Sequence, residues 1–358
     1  MSLFTGRVRS YFVKAGIDFR ELPPVSDHYE DVVLPLAGGR RSMPTVELSN
    51  GTVIRDSVAI VDHFEAELGG SYTPTGPKQR TISLLLDLIG TEGMYRPAMH
   101  YRWRYPEHIT LIRHHFEEIT PKQASPELTV AGRFQRMAQA CNDLGASEQC
   151  IPLVESLYIR LLKKMNTHFA HYPYFLGGKP SIGDFGMFAP MYAHLGRDLK
   201  PLSLMHEHGV HVLRWVERMQ RHDPGFSAAH KMREDYLDND EIPATLIDLV
   251  QHMAIDFVPE TVAASAQINA WLDAQTEAIS GREVARSVGT APFNVEDQAM
   301  SAATQPFRFY LLKRLQDHVR SVPDAQGAAV LEAANMQALL ACQLARDIER
   351  DRNLEVWQ

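Results

Sequence analysis

Few residues of the sequence have the types and spacing that are typical of a functional site, and Asp56-Ser57 is the clearest pair. A carboxylate and a hydroxyl stand directly before a stretch, residues 58–64, whose apolar positions recur at helical spacing. Asp and Ser are preferred at the N-cap of a helix, where a side-chain oxygen accepts a hydrogen bond from a free backbone N–H. The pair therefore predicts the start of a helix that is capped by oxygen atoms.

The histidines and cysteines lack the spacing of metal sites or redox motifs. Histidines cluster at His114-His115 and in HEHGVH (206–211), which is not HExxH, and neither group comes with spaced cysteine or carboxylate ligands. No CxxC is present, which favours a reduced, cytoplasmic setting. The three cysteines are Cys141, Cys150 and Cys342. We expect no metal.

Composition excludes several classes of function. The 358 residues carry a formal net charge of −8 and no run of five like charges, which argues against nucleic acid binding. The apolar share of 45% is enough to build real cores. No apolar stretch approaches the ~20 residues that a membrane span needs. We expect a protein with no membrane span.

Residues 1–68 alternate helix and strand signals. GRVRSYFVKAGI (6–17) predicts a helix, DFRELP (18–23) a strand, and residues 26–39 a helical or irregular piece. TVELS and TVIRD then predict two strands of a hairpin. They are joined by Asn50-Gly51, a pair preferred in type I′ turns because both central residues need positive φ.

The rest of the chain is predicted to be helical. Residues 69–79 form a linker by composition, rich in Gly and Pro. Helical spacing then recurs through residues 80–235. Residues 236–358 are expected to form a helical extension, with a Gly-containing loop at 281–293 and two helices that end in LLACQLARDIERDRN (339–353).

Three local motifs, in this order, resemble the glutathione S-transferase superfamily. They are Met43-Pro44 at the opening of the hairpin, Asp56-Ser57, and a capping box made by Ser181 and Asp184. The resemblance covers about residues 1–235. It implies an α/β thioredoxin-like N-terminal domain (1–68) whose first strand is missing, followed by an all-α C-terminal-like domain (80–235).

The resemblance also implies a site for glutathione as co-substrate. The Met43-Pro44 bond is expected to be cis, so that the backbone of Met43 faces the cysteinyl part of an extended peptide. Asp56 and Ser57 are expected to hold the γ-glutamyl carboxylate, with the positive end of the helix dipole assisting.

The catalytic hydroxyl is expected at the start of the chain. In serine-type members of the family a basic residue follows the catalytic serine by five positions, and Ser2 followed by Arg7 fits that spacing. Thr5 is the fallback, and Arg7 and Arg9 are either solvated or close to the thiolate. On this alignment the chain begins at the catalytic loop, which favours a truncated or misassigned start or a vector remnant that mimics the motif.

Tyr95, Met99 and Trp103 follow each other at spacings of four residues and lie on one helix face. In the family the first helices of the second domain line the pocket for the electrophilic substrate. The resemblance therefore assigns these residues to that pocket. Core packing between helices is the alternative.

The resemblance implies a cytoplasmic, homodimeric transferase that activates the glutathione thiol for attack on a small electrophile. The alternative is a non-catalytic interaction module on the same fold, since fold does not imply function. A cleft beside Pro44 with an identified hydroxyl favours the enzyme, and an extension that covers the cleft favours the module. The second substrate and the role of residues 236–358 stay open.

Overall fold

Residues 2–68 form helices around one short hairpin. A computed structural model shows this arrangement and describes residues 2–120, 124–222, 230 and 233–358. In chain order the elements are α1 (Leu3–Ala15), a π-helical turn (Tyr29–Val33), α2 (Leu34–Leu36), β1 (Thr45–Glu47), β2 (Val53–Arg55) and α3 (Ser57–Glu67). The predicted order of the first helix, the hairpin and the third helix is confirmed.

The turn of this hairpin differs from the predicted type I′ turn. The backbone N–H of Leu48 donates to the carbonyl of Thr52, which leaves a three-residue loop in place of a two-residue one. Of the expected pair only Gly51 has positive φ (82°). The Asn50 side chain instead accepts a hydrogen bond from the N–H of Thr52 at 2.9 Å, so a local side-chain bond replaces the second positive-φ residue.

The strand expected at 18–23 does not form. In the described part of the chain β1 and β2 pair only with each other, and a strand without a backbone partner has no ladder to join. The segment is held against α1 by an ion pair of Glu21 with Arg9 at 2.7 Å and by the ring of Phe19 packed on Phe12.

Eight helices follow in the described residues between 77 and 218, and a π-helical turn extends the first of them. They are α4 (Pro77–Leu88, followed by the π-helical turn Ile89–Gly93), α5 (Tyr95–Arg104), α6 (Ile109–Glu118), α7 (Val130–Asp143), α8 (Ile151–His171), α9 (Ile182–Ala193), α10 (Leu199–His208) and α11 (Val210–Arg218). The capping box predicted from Ser181 and Asp184 opens α9. No helix within the described ranges is both long and apolar enough to cross a membrane.

Helix α4 begins at Pro77, inside the stretch assigned to the linker. Proline is well suited to the first position of a helix, because its missing N–H would have no partner there. The next free N–H groups, of Lys78 and Gln79, donate to the Asp240 carboxylate at 2.7 and 2.9 Å. This cap comes from a distant part of the chain, so local sequence could not show it.

Residues 236–358 are not entirely helical, which corrects the expectation. Their elements are α12 (Ala244–Asp273), β3 (Thr290–Val295), β4 (Gln298–Ala303), α13 (Phe307–Ser321), α14 (Gln326–Ala333), β5 (Ile348–Asp351) and β6 (Leu354–Trp357). The pairs β3–β4 and β5–β6 are antiparallel hairpins. Strand β3 begins inside the predicted loop, and β5 takes the place of the predicted helix end.

The alternation of burial explains why β3 is a strand. Ala291, Phe293 and Val295 are buried and the residues between them are exposed, which is the two-residue period of a half-buried strand. In a window dominated by helical signals this short alternation was missed. The described ranges also contain short 3₁₀ turns, at Pro106–His108, Pro126–Leu128, Glu148–Cys150, Asp238–Asp240, Pro323–Ala325 and Gln337–Ala341.

A buried ion pair joins α1 to α4. Arg7 is fully buried, and its guanidinium lies 2.7 Å from Asp87 Oδ1 and donates to Thr91 Oγ1 at 2.9 Å. Burial raises the pKa of Asp87, and the facing charge of Arg7 opposes that rise. The interpretation of Arg7 as a solvated cation is therefore wrong.

We expect either single variant of this pair, Arg7→Met or Asp87→Leu, to lose about 3–5 kcal/mol of unfolding free energy, because each leaves one charge buried and unpaired. The double variant should lose less than the sum, since it leaves no charge. Urea unfolding of the four proteins measures this. Arg9→Met, at the half-exposed pair with Glu21, is the control and should cost less than about 1 kcal/mol. Strictly additive losses would contradict the prediction.

Candidate functional site

The turn from β2 into α3 carries the Asp56-Ser57 pair. The Asp56 side chain accepts a hydrogen bond from the N–H of Val58 at 2.8 Å, as expected of an N-cap. Its φ of 78° is unusual for a residue other than glycine and costs on the order of 1–3 kcal/mol. Ser57 is buried, and its Oγ has no hydrogen-bond partner in the described structure. The helix start therefore holds an unused hydroxyl.

The Met43–Pro44 peptide bond is cis, as the resemblance implied. The Pro44 carbonyl accepts a hydrogen bond from the N–H of Asp56 at 3.3 Å, which ties the proline loop to the start of α3. The Ser2 hydroxyl donates to the carbonyl of Met43 at 3.2 Å. Ser2 and Asp56 are therefore each hydrogen-bonded to the Met43-Pro44 dipeptide, Ser2 to Met43 and Asp56 to Pro44.

A hairpin from the C-terminal end of the chain, β5–β6, covers the outer edge of β2. The Asn353 side chain accepts from the N–H of Arg55 and donates to the carbonyl of Val53, both at 2.8 Å. The Glu355 carboxylate lies 2.8 Å from the Arg55 guanidinium and 2.7 Å from that of Arg350. Residues far apart in sequence thus meet beside the start of α3.

This neighbourhood shifts the titration of Asp56. Burial raises the pKa of its carboxyl, and the negative charge of Glu355 adds to that rise. The N–H of Val58 and the positive charges of Arg350 and Arg7 act in the opposite direction. The carboxyl at the start of α3 is therefore more easily protonated than an exposed aspartate.

A cavity of about 410 Å³ lies beside Ser2. Its wall includes the three residues predicted to line a substrate pocket, Tyr95, Met99 and Trp103. The structure therefore brings four of the predicted site residues together, although their roles stay a prediction. Thr5 is not among the residues that line the cavity.

The cavity wall is largely apolar and includes aromatic rings and thioethers. The rings of Phe4 and Tyr95 meet edge to face at 6.2 Å, and the Trp103 ring stacks on Phe116 at 6.0 Å. Met99 and Met137 add flexible, polarisable thioethers. Such a wall suits a flat apolar molecule.

Glu92 lies behind Tyr95 and was not singled out in the sequence. The Tyr95 hydroxyl donates to Glu92 Oε1 at 3.2 Å, and Glu92 Oε2 has no partner in the described structure. Burial raises the pKa of Glu92 to about 8, although the positive charge of Arg308 opposes the rise. The group is therefore a neutral acid at pH 7. The signal was a single carboxylate within the largely apolar stretch LIGTEGMY (88–95).

Arg286 is a second residue of the cavity wall that sequence reasoning missed. It lies in the stretch predicted to be a loop, between α12 and β3, and nothing in its local sequence indicates a site. Among the residues that the structure describes, no group of three or more potential ligands is placed to hold a metal ion.

Comparison with known proteins places the N-terminal part of the chain in a family. Residues 1–71 match the family model described as glutathione S-transferase, N-terminal domain. No curated protein and no solved structure matches the chain. The chain thus carries a thioredoxin-like N-terminal domain of the glutathione S-transferase type, joined to a largely helical part.

We expect the unfolding free energy of Glu92→Gln to decrease less steeply with rising pH than that of the wild type. Because the native pKa of about 8 exceeds the usual value of 4.5, the folded protein keeps a proton that the unfolded chain releases in this range. This group therefore lowers the unfolding free energy by up to about 1.4 kcal/mol per pH unit between those values. Glutamine carries no charge and keeps the acceptor for Tyr95.

Denaturant unfolding across this pH range measures the difference between the two proteins. The advantage of Glu92→Gln should be small near pH 5 and grow toward pH 8. Glu332→Gln, at an exposed position, is the matched control and should show a constant difference. An advantage of Glu92→Gln that is independent of pH would contradict a raised pKa.

Proposed function

We propose that the protein binds glutathione beside Met43 and Ser57 and activates its thiol for attack on an electrophilic small molecule. One observation carries the proposal. The Ser2 side chain bonds to the Met43 carbonyl and also lines the cavity that Tyr95 and Trp103 enclose. A hydroxyl therefore stands between the expected peptide-binding backbone and an apolar pocket.

The arrangement suits two parts of glutathione, the γ-glutamyl carboxylate and the cysteinyl residue. The Ser57 hydroxyl has no partner at the positive end of α3, so it is available to donate to the γ-glutamyl carboxylate. The backbone of Met43, held by the cis bond, would pair with the cysteinyl residue as an added strand does.

In the proposed reaction the Ser2 hydroxyl gives up its hydrogen bond to the Met43 carbonyl and donates one to the glutathione sulfur instead. A hydrogen bond to the thiolate favours the charged form and lowers the pKa of the thiol. The thiol proton passes to solvent, and the sulfur lone pair forms a bond to the electrophilic carbon. The leaving group departs with the electrons of its former bond, so charge and atoms balance.

A non-catalytic interaction module is the second candidate. It is favoured by the β5–β6 hairpin, which packs on Arg55 directly before the Asp56-Ser57 turn. A chain segment so close to the helix start limits the room that an extended peptide has there. Under this alternative the glutathione S-transferase fold would serve to present a surface to another protein.

The setting and assembly that we propose are a cytoplasmic homodimer. The three cysteines are buried free thiols, which suits a reducing compartment. The match to the N-terminal domain family supports a dimer by resemblance. Light scattering on the purified chain tests the dimer, and a stable monomer would remove this part of the proposal.

We expect Ser57→Ala to weaken glutathione binding by about 10- to 100-fold, the usual worth of a hydrogen bond to a charged group. Stability should change little, because Ser57 Oγ has no partner to lose. Calorimetry with glutathione measures the affinity. Ser49→Ala, at an exposed loop position, is the control. Unchanged affinity in Ser57→Ala would remove the carboxylate site, and no binding by the wild type would leave the interaction module.

We expect Ser2→Ala to raise the pKa of the bound thiol and to lower the rate by about 10- to 100-fold, with little effect on glutathione affinity. Ultraviolet absorbance of the thiolate across a pH series measures the pKa. Thr5→Ala is the matched variant, because Thr5 does not line the cavity. A loss that appears in Thr5→Ala and not in Ser2→Ala would transfer the catalytic role to the fallback residue.

A further inference from the structure

The cavity beside Ser2 has an unbalanced set of polar groups. Among the residues that the structure describes, no aspartate or glutamate lines it, whereas two arginines do, Arg102 and Arg286. A pocket that is rich in donors and free of carboxylates presents a positive potential to whatever enters it. The charge that the cavity presents therefore depends on whether other residues already neutralise these two arginines.

Arg102 is already paired. Its guanidinium donates twice to the Asp198 carboxylate, each time at 2.8 Å, and once to the carbonyl of Ala193. Both members of this ion pair are buried. Two histidines also lie on this wall. His194 adds no charge, because burial lowers its pKa well below the usual value, and His115 Nδ1 lies 3.3 Å from the Glu118 carboxylate.

Arg286 forms no ion pair within the ranges that the structure describes. Its side chain donates a hydrogen bond to the carbonyl of Arg41 at 3.3 Å. Arg286 is an exposed residue, although partial desolvation of its guanidinium lowers its pKa and the positive charges of Arg40, Arg136 and Arg55 lower it further. Arg40 and Arg55 are paired with Glu355, whereas Arg286, on the cavity wall, has no carboxylate partner in the part of the chain that the structure describes.

Trp103 supplies a second, independent sign of a missing acceptor. Its ring forms part of the cavity wall, and its buried Nε1–H has no hydrogen-bond partner in the described structure. A buried donor without an acceptor costs about 1–3 kcal/mol. A ligand oxygen would satisfy it.

We propose that the cavity binds a molecule with an aromatic or aliphatic body and one anionic group, a carboxylate or a sulfonate, which pairs with Arg286. The apolar body lies against Met99, Phe116 and Met137, and the anionic oxygens face the guanidinium. The role of this molecule as the second substrate rests on the proposed function. Its binding in the cavity is independent of that function.

The test compares two fluorescent probes with the same rings, anilinonaphthalene sulfonate and the uncharged N-phenylnaphthylamine. Arg286→Met should weaken binding of the sulfonate by about tenfold and leave the neutral probe unchanged, because only the sulfonate loses a charge-assisted hydrogen bond. Arg286→Lys should restore part of the affinity. Added salt should weaken the sulfonate alone.

Arg282→Met is the matched control, an exposed arginine of the same segment that does not line the cavity. Equal losses for both probes, or no loss for either, would overturn the proposal. So would a loss confined to glutathione affinity, which would assign Arg286 to the tripeptide. If Arg286→Met does not fold, the lysine variant and the salt series decide. Neither probe reports turnover, so failure of the transferase reaction leaves this test intact.

Discussion

The buried ion pair of Arg7 with Asp87 fixes the geometry on which the candidate site depends. Arg7 belongs to α1, whose first residues bring Ser2 and Phe4 to the cavity. Asp87 belongs to α4, which continues through a π-helical turn into the helix that carries Tyr95. Charges inside a protein core tolerate little displacement, because their desolvation is offset only at close range. The pair thereby sets the separation of the hydroxyl and the aromatic wall.

The polar groups near this pair are of two kinds, those with a buried partner and those without one. Arg7 and Arg102 have buried carboxylate partners, which is how structural charges are normally arranged. The Ser57 hydroxyl and the Trp103 indole have none. Unsatisfied polar groups are rare in protein interiors, and both of these lie at the candidate site. Other buried polar atoms of the described structure also lack a hydrogen-bond partner, such as the Tyr158 hydroxyl, so the position of these two groups rather than their number relates them to a function.

How much of the structure the sequence could predict depends on how far apart in the chain the interacting residues lie. The cap at Asp56, the box at Ser181 and the spacing of Tyr95, Met99 and Trp103 are local patterns, and the structure contains each of them. The strand predicted at 18–23 is a long-range error, because a strand needs a partner that is remote in the chain. The missed hairpin β5–β6 is a different error, since its strands pair locally, Ile348 with Trp357. Arg286 reaches the cavity, and Asp240 caps α4, from segments far along the chain. Long-range contacts leave no periodic signal, so periodicity could not find them.

The Asn353 side chain has a consequence for the behaviour of the protein in solution. A two-stranded sheet exposes unpaired N–H and C=O groups along its edges, and such edges invite pairing with strands of other molecules. Asn353 engages the free N–H of Arg55 and the free carbonyl of Val53. One amide side chain therefore imitates a neighbouring strand and protects the molecule from edge-to-edge aggregation.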